Sequence, residues 1–185
     1  EREKLNLSEA RSILELATKK DTSFALAWFE LAECSMNLGD GPGLKNAVSH
    51  LRNNISRTTE LEKFRIAQYD TNLQATLLKS RGWEWKERNW DSFVKARAEI
   101  FPFEIDFRLD YSGYLGDSAA IAEYERILKL DKANTQAWLF LGYRYLEMGE
   151  EVKAIQAFER LAELQPGDPN PLHSMAEGFL TFGRF

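Results

Sequence analysis

A chain of 185 residues with 44% apolar and 12% aromatic content can bury a sizeable core, and it contains no apolar run of about 18 residues that would read as a membrane-spanning helix. The start, EREKLNLSEA, lacks the basic and apolar zones of a signal peptide. Net charge is −5 and uneven: residues 101–185 hold 8 Lys and Arg against 14 Asp and Glu, a balance that disfavours polyphosphate ligands and favours basic partners.

In chain order, residues 8–21 read as a helix with Ala10, Leu14 and Ala17 on one face and Ser8 as its cap. Residues 23–38 make a second helix, in which Trp28, Leu31 and Ala32 share a face and Cys34, the single cysteine, is a buried thiol with no internal disulfide partner. Gly39, Asp40, Gly41, Pro42 and Gly43 predict a turn longer than a standard link. A phosphate cradle is excluded there, since such a loop follows a strand and none precedes it. Residues 44–56 carry the stripe Leu44, Ala47, Val48, Leu51 and Ile55.

Residues 59–80 read as one elongated helix with Leu61, Phe64, Ile66, Ala67, Leu73, Leu77 and Leu78 along it. Trp90, Phe93, Val94, Arg97 and Ile100 mark the next, which Pro102 ends. Trp83, Trp85, Trp90, Phe93, Phe101, Phe103 and Phe107 read as core filling around irregular helix lengths. Leu109, Tyr111, Tyr114 and Leu115 make a shortened helix before Gly116 and Asp117, and AAIAEYERILKLD makes another after them.

The clearest stretch is residues 135–166. Trp138, Leu141, Gly142 and Tyr145 are spaced i, i+3, i+4 and i+7, so one helical face holds all four, and Gly149 supplies the left-handed residue that ends the helix. Ala154, Ile155, Phe158, Leu161 and Leu164 continue the pattern to Pro166. A shift of about 34 residues lands on Leu172, Met175, Ala176, Phe179 and Gly183 with their character kept. Trp28, Leu31, Ala32 and Gly39 repeat the internal spacing upstream. Trp28 and Trp138 lie 110 residues apart, more than three such periods, so something between them is longer than standard.

With these landmarks in one frame, residues 135–166 resemble the tetratricopeptide repeat (TPR) family. The resemblance implies an all-α, right-handed solenoid of stacked antiparallel helix hairpins with irregular middle repeats. It is read as one domain over 1–185, with first repeats at 8–56, irregular repeats at 57–117 and regular ones at 118–185, the last incomplete, as in a fragment of a longer chain. More weakly, residues 8–166 are similar to TPR regions of bacterial winged-helix regulators and serine/threonine kinases.

No catalytic constellation emerges. His50 and His173 lie on different helices without a Cys, His or acidic partner at metal-ligand spacing, so neither a metal nor a cofactor is expected, and the chain reads as a non-enzyme. Nor does a basic stripe suggest nucleic acid. In a stacked array the first helix of each hairpin lines a concave face. Side chains off the packing stripe become the candidates: Phe29, Glu33 and Met36; Leu139, Tyr143, Leu146 and Glu147; His173 and Glu177. This apolar face with acidic accents suits a basic or apolar peptide or helix. It does not suit a terminal carboxylate, because Glu33, Tyr143 and Glu177 stand where carboxylate-binding relatives carry Lys, Arg and Asn. The function read from it is a protein-interaction scaffold. The alternatives are a signal-input module of a bacterial membrane-linked regulator or kinase, and a substrate-recruiting appendage of an enzyme. Met175, Phe179 and Phe182 at the last helix add an expectation of end-to-end self-association.

Overall fold

The structure, a computed structural model, describes residues 2–83 and 90–183; Trp85 of the aromatic cluster lies outside them. All regular structure among the described residues is helical. The chain divides into two compact units, Glu1–Arg88 and Asn89–Phe185.

The first unit contains α1 (Arg2–Lys20), α2 (Ala25–Asn37), α3 (Gly41–Asn54), α4 (Glu60–Ile66) and α5 (Thr71–Ser80). Helices α1, α2 and α3 pack in sequence around Trp28, Leu31, Ala32, Ala47, Leu51 and Ile66. Three local expectations are corrected here. Helix α1 begins upstream of Ser8, because residues 2–7 contain no glycine or proline to stop it, and Ser8 becomes an interior residue. The glycine-rich turn is short. Gly39 takes φ 71° to end α2, then the Asp40 carboxylate accepts the Gly43 N–H at 3.0 Å and Pro42 sits in the first turn of α3.

The third correction concerns residues 59–80, which are two helices joined by a corner. Thr59 and Glu62 form a reciprocal capping box at the start of α4. A 3₁₀ turn, Ala67–Tyr69, then leads to Asp70 in an extended conformation, whose carboxylate accepts the N–H groups of Asn72 at 3.0 Å and Leu73 at 3.3 Å. Asp70 therefore caps α5 instead of continuing α4, and the Arg52 guanidinium of α3 holds it from its other oxygen.

The second unit contains α6 (Trp90–Ile100), α7 (Ile105–Ser112), α8 (Asp117–Leu130), α9 (Thr135–Glu147), α10 (Glu151–Leu164) and α11 (Asn170–Thr181). Helix α7 starts four residues before Leu109 and is over before Tyr114 and Leu115, since Gly113 and Gly116 break the following stretch. Helices α7 to α11 pack each on the next, with Ala120, Tyr124, Ile127, Leu128, Ala137 and Leu141 at the centre. Gly142 lets α9 and α10 close up: a Cβ there would lie 2.4 Å from Cε1 of the buried Phe158 ring. On α11 the buried residues are Pro171, Ser174 and Gly178, while Leu172 and Ala176 are exposed and Met175 and Phe179 half-buried, as is Phe182 just past its end.

The aromatic cluster behaves unevenly. Phe93 and Phe107 are fully buried, but they enclose a charge: the Arg97 guanidinium lies 5.4 and 4.7 Å from their ring centres, with 1% of the residue exposed, and pairs with Asp110. Phe103 stands in solvent. A second arginine, Arg108, is buried between Glu123 and the Pro102 carbonyl.

Candidate functional site

In the first unit one candidate of α2, Phe29, borders a largely apolar cleft of about 280 Å³ between α2 and α4, formed with Ala25, Leu26, Leu61, Arg65 and Ile66. The capping box that starts α4 at Thr59 sets Leu61 and Ile66 opposite α2, and both Thr59 and Glu62 line the same cleft. The Phe29 ring tilts against Tyr69, centres 6.1 Å apart. Glu33 accepts hydrogen bonds from Gln68 at 3.3 Å and Tyr69 at 3.4 Å, and Met36 is exposed. Burial, reinforced by Glu33, pushes the Glu30 carboxyl up, and Arg65 opposes that shift.

In the second unit Leu139, Tyr143 and Leu146 are half-buried on α9. The Tyr143 ring meets Phe158 edge-on at 5.3 Å; its hydroxyl lies 3.0 Å from the Ser174 hydroxyl and donates to Glu177 at 3.3 Å. Leu146 reaches to within van der Waals distance of where a Cβ on Gly178 would stand. The structure thus brings Tyr143, Leu146 and Glu177 together across the joint of α9 and α11. Glu147 accepts from Arg144 at 2.8 Å, and His173 is exposed. Phe29, Glu33 and Met36 belong to the other unit.

Sequence reasoning omitted Leu26, although it lies three residues before Phe29 on the same helical face; stepping the i, i+3 spacing once backward finds it. A further cavity of about 430 Å³ lies between α7 and α9 beside Asp106, Asp110, Phe140 and Arg144. Among the described residues no group of three or more His, Cys, Asp or Glu side chains is placed to hold a metal ion, and none of the helices is long and apolar enough to cross a membrane. Cys34 is buried, with its thiol pushed up by desolvation.

The two tryptophans stand at equivalent joints. Each indole N–H donates at 2.9 Å to the carbonyl six residues earlier, Thr22 for Trp28 and Lys132 for Trp138. In the turns that precede them, Asp21 and Asp131 each accept the N–H two residues on, from Ser23 at 2.8 Å and Ala133 at 2.9 Å. Beside each indole is a cavity, about 330 Å³ among α1, α2 and α3 and about 610 Å³ among α8, α9 and α10. Ten of the eleven residues around each coincide under a shift of 110, so the hairpin is one structural unit used twice.

Residues 118–177 match the family model described as the tetratricopeptide repeat. The chain carries tetratricopeptide repeats at these residues. Its fold is shared by a thermophilic TPR protein of Thermus thermophilus, at 20% identity and a TM-score of 0.66, covering 94% of this chain and 91% of that one. A chain of the Cut9–Hcn1 hetero-tetramer of the APC/C gives a TM-score of 0.67 at 18% identity, covering 95% of this TPR chain and 34% of that one. Among curated proteins, the peroxisomal targeting signal receptor of Candida albicans is 26% identical over 101 residues, 55% of this chain. The TPR chain spans only 17% of that receptor's length.

Proposed function

We propose that this TPR protein is a non-enzymatic interaction scaffold that binds a peptide or helix of a partner protein along the inner faces of α2 and α9. The observation that carries the reading is the cleft between α2 and α4. Phe29, a candidate by repeat position alone, forms its wall, and Leu26 beside it remains 44% exposed. A largely apolar cleft whose charged lining is one acid, Glu62, and one base, Arg65, suits an apolar side chain of a peptide. The curated relative is by name a receptor for a targeting signal, which supports a peptide as the class of ligand. In the second unit Leu139, Tyr143, Leu146, Glu147, His173 and Glu177 are the proposed contact residues, with Tyr143 also serving the α9/α11 joint.

The test is selection of peptides from a random library on the wild-type chain, followed by titration of the selected peptide against Phe29→Ser and Leu139→Ser. Binding should weaken at least about tenfold in one or both, as for loss of an interface anchor, with helicity unchanged. Selected peptides indifferent to both substitutions would overturn the inner-face assignment.

A further inference from the structure

We infer that the cavity among α8, α9 and α10 is a second docking site, which takes a short acidic peptide segment carrying one apolar anchor residue. The site shares no residue with the inner-face candidates and does not depend on them. Its floor is apolar, with Leu128, Leu141 and Ala157 beside the Trp138 and Tyr145 rings in a cavity of about 610 Å³. Its rim is cationic: Lys129, Lys132, Lys153 and Arg160 all line it and all are exposed. These are four of the eight Lys and Arg between residues 101 and 185, where 14 acids prevail, so the local charge runs against that of its surroundings.

The fold makes only surface use of these charges, the Lys153 ammonium also lying 5.4 Å from the Tyr145 ring centre. Arg160 pairs with Glu163 at 2.5 Å and Lys153 with Glu150 at 3.2 Å, both exposed pairs of the kind that contribute little to stability. Neither Lys129 nor Lys132 has an acidic partner among the described residues. The sole acid lining the cavity, Glu125, already accepts the Tyr145 hydroxyl at 3.1 Å. The equivalent joint in the first unit supplies an internal comparison: at a shift of 110, Lys132, Lys153 and Arg160 correspond to Thr22, Gly43 and His50. A hairpin joint of this kind therefore closes without three of the four cations.

The chemistry of the ligand follows from this arrangement. An aromatic or aliphatic side chain gains by leaving water for the space beside the indole and phenol rings. Carboxylates on either side of it meet two unpaired ammonium groups and a guanidinium suited to bidentate contact. A long polyanion such as nucleic acid would also have to lie over the acidic surface around the rim, whereas a short acidic segment stays within it.

The experiment measures fluorescence anisotropy of a fluorescein-labelled peptide of Asp and Glu residues around a single phenylalanine, titrated with the 185-residue chain. Binding should weaken steeply between about 50 mM and about 300 mM salt. The triple variant Lys132→Thr, Lys153→Ala, Arg160→His should bind at least about tenfold more weakly, with unchanged helicity and unfolding midpoint, because the removed groups are exposed. A peptide with glycine in place of phenylalanine should bind several-fold more weakly, and Leu139→Ser should bind the original peptide as the wild type does. No binding at low salt, equal binding by the triple variant, or equal binding of the glycine peptide would each overturn the proposal. Concentration-dependent self-association in sedimentation that the same triple variant abolishes would assign the cavity to a second copy of this chain, and the proposal would fail.

Discussion

Trp28 and Trp138, 110 residues apart, make the same hydrogen bond: each indole N–H donates at 2.9 Å to the carbonyl that closes the turn before its helix. The bond ties the first helix of a hairpin to the end of the helix before it, so the indole both fills the joint and sets where the next helix begins. Phenylalanine at either position would keep an aromatic ring and lose the bond. Trp28 is buried and its ring stacks on His50 at 3.9 Å, so Trp28→Phe is expected to cost about 1–2 kcal/mol. Trp138 is half-buried and the Lys132 carbonyl stays within reach of water, so Trp138→Phe should cost roughly 0.5–1 kcal/mol. Urea unfolding midpoints compare the two, and a larger loss at Trp138 would contradict the account.

Gly142 and Phe158 form the tightest contact between α9 and α10. A Cβ at Gly142 would need the Phe158 ring to move by an ångström or so, and that ring is fully buried. Gly142→Ala is therefore expected to destabilise by about 1–3 kcal/mol, even though alanine is the better helix former. Phe158→Leu in the same chain should return part of the loss. The sequence itself hints at this compensation: 110 residues earlier the same two positions hold Ala32 and Val48. A neutral or stabilising Gly142→Ala, read from thermal or urea unfolding, would show that the two helices are not held at this separation.

How much of this was legible depended on whether a residue's role is local. The α9–α10 hairpin could be read because Trp138, Gly142, Gly149 and Pro166 each act within a turn or across one helix face. The corner at Asp70 could not. In isolation Asp70 reads as one more polar residue of an elongated helix; its partner Arg52 is 18 residues away and belongs to another helix. The inner-face candidates followed from repeat position, yet the link from Tyr143 to Ser174 and Glu177 appears only once α11 is laid against α9. The cationic cavity was hidden for a different reason. Its charges come from positions 129, 132, 153 and 160, dispersed through a segment whose total is acidic.

Arg97 and Asp110 should respond unequally to removal. The guanidinium is enclosed by Phe93 and Phe107, and burial pulls its proton affinity down while Asp110 pulls it back. Asp110 itself is about half exposed. Asp110→Asn leaves a buried cation without its counter-charge and is expected to cost roughly 2 kcal/mol, less than a fully enclosed pair because water can reach the vacated position. Arg97→Met fills the aromatic site with an apolar chain of similar length and leaves a solvated carboxylate. Its cost should stay within about 1 kcal/mol. The order matters more than either value, and chemical denaturation of the two single variants and the double variant gives it. Arg97→Met costing more than Asp110→Asn would mean that the cation–π contacts outweigh the charge.

Asp70 gives the fold a pH dependence whose direction can be stated. Burial alone would lift its carboxyl, but the Arg52 guanidinium and the N–H groups of Leu73 and Asn72 outweigh burial and hold it below the ordinary value. A carboxyl held low in the folded state adds stability that is complete above the unfolded-state value of about 3.9, and that stability is lost as pH falls through the lower folded value. Asparagine caps helices about as well as aspartate, so Asp70→Asn keeps the start of α5 and removes only the charge. The variant is expected to be less stable than wild type by about 1–2 kcal/mol near pH 7, from loss of a charge-assisted hydrogen bond. The gap should close on acidification, because the wild-type carboxyl itself takes up a proton as pH falls through its lowered folded-state value. Arg52→Gln should show a similar neutral-pH loss and a similar convergence. Urea unfolding at a series of pH values measures all three chains, and a gap that stays constant down to acid pH would mean that Asp70 acts through cap geometry alone.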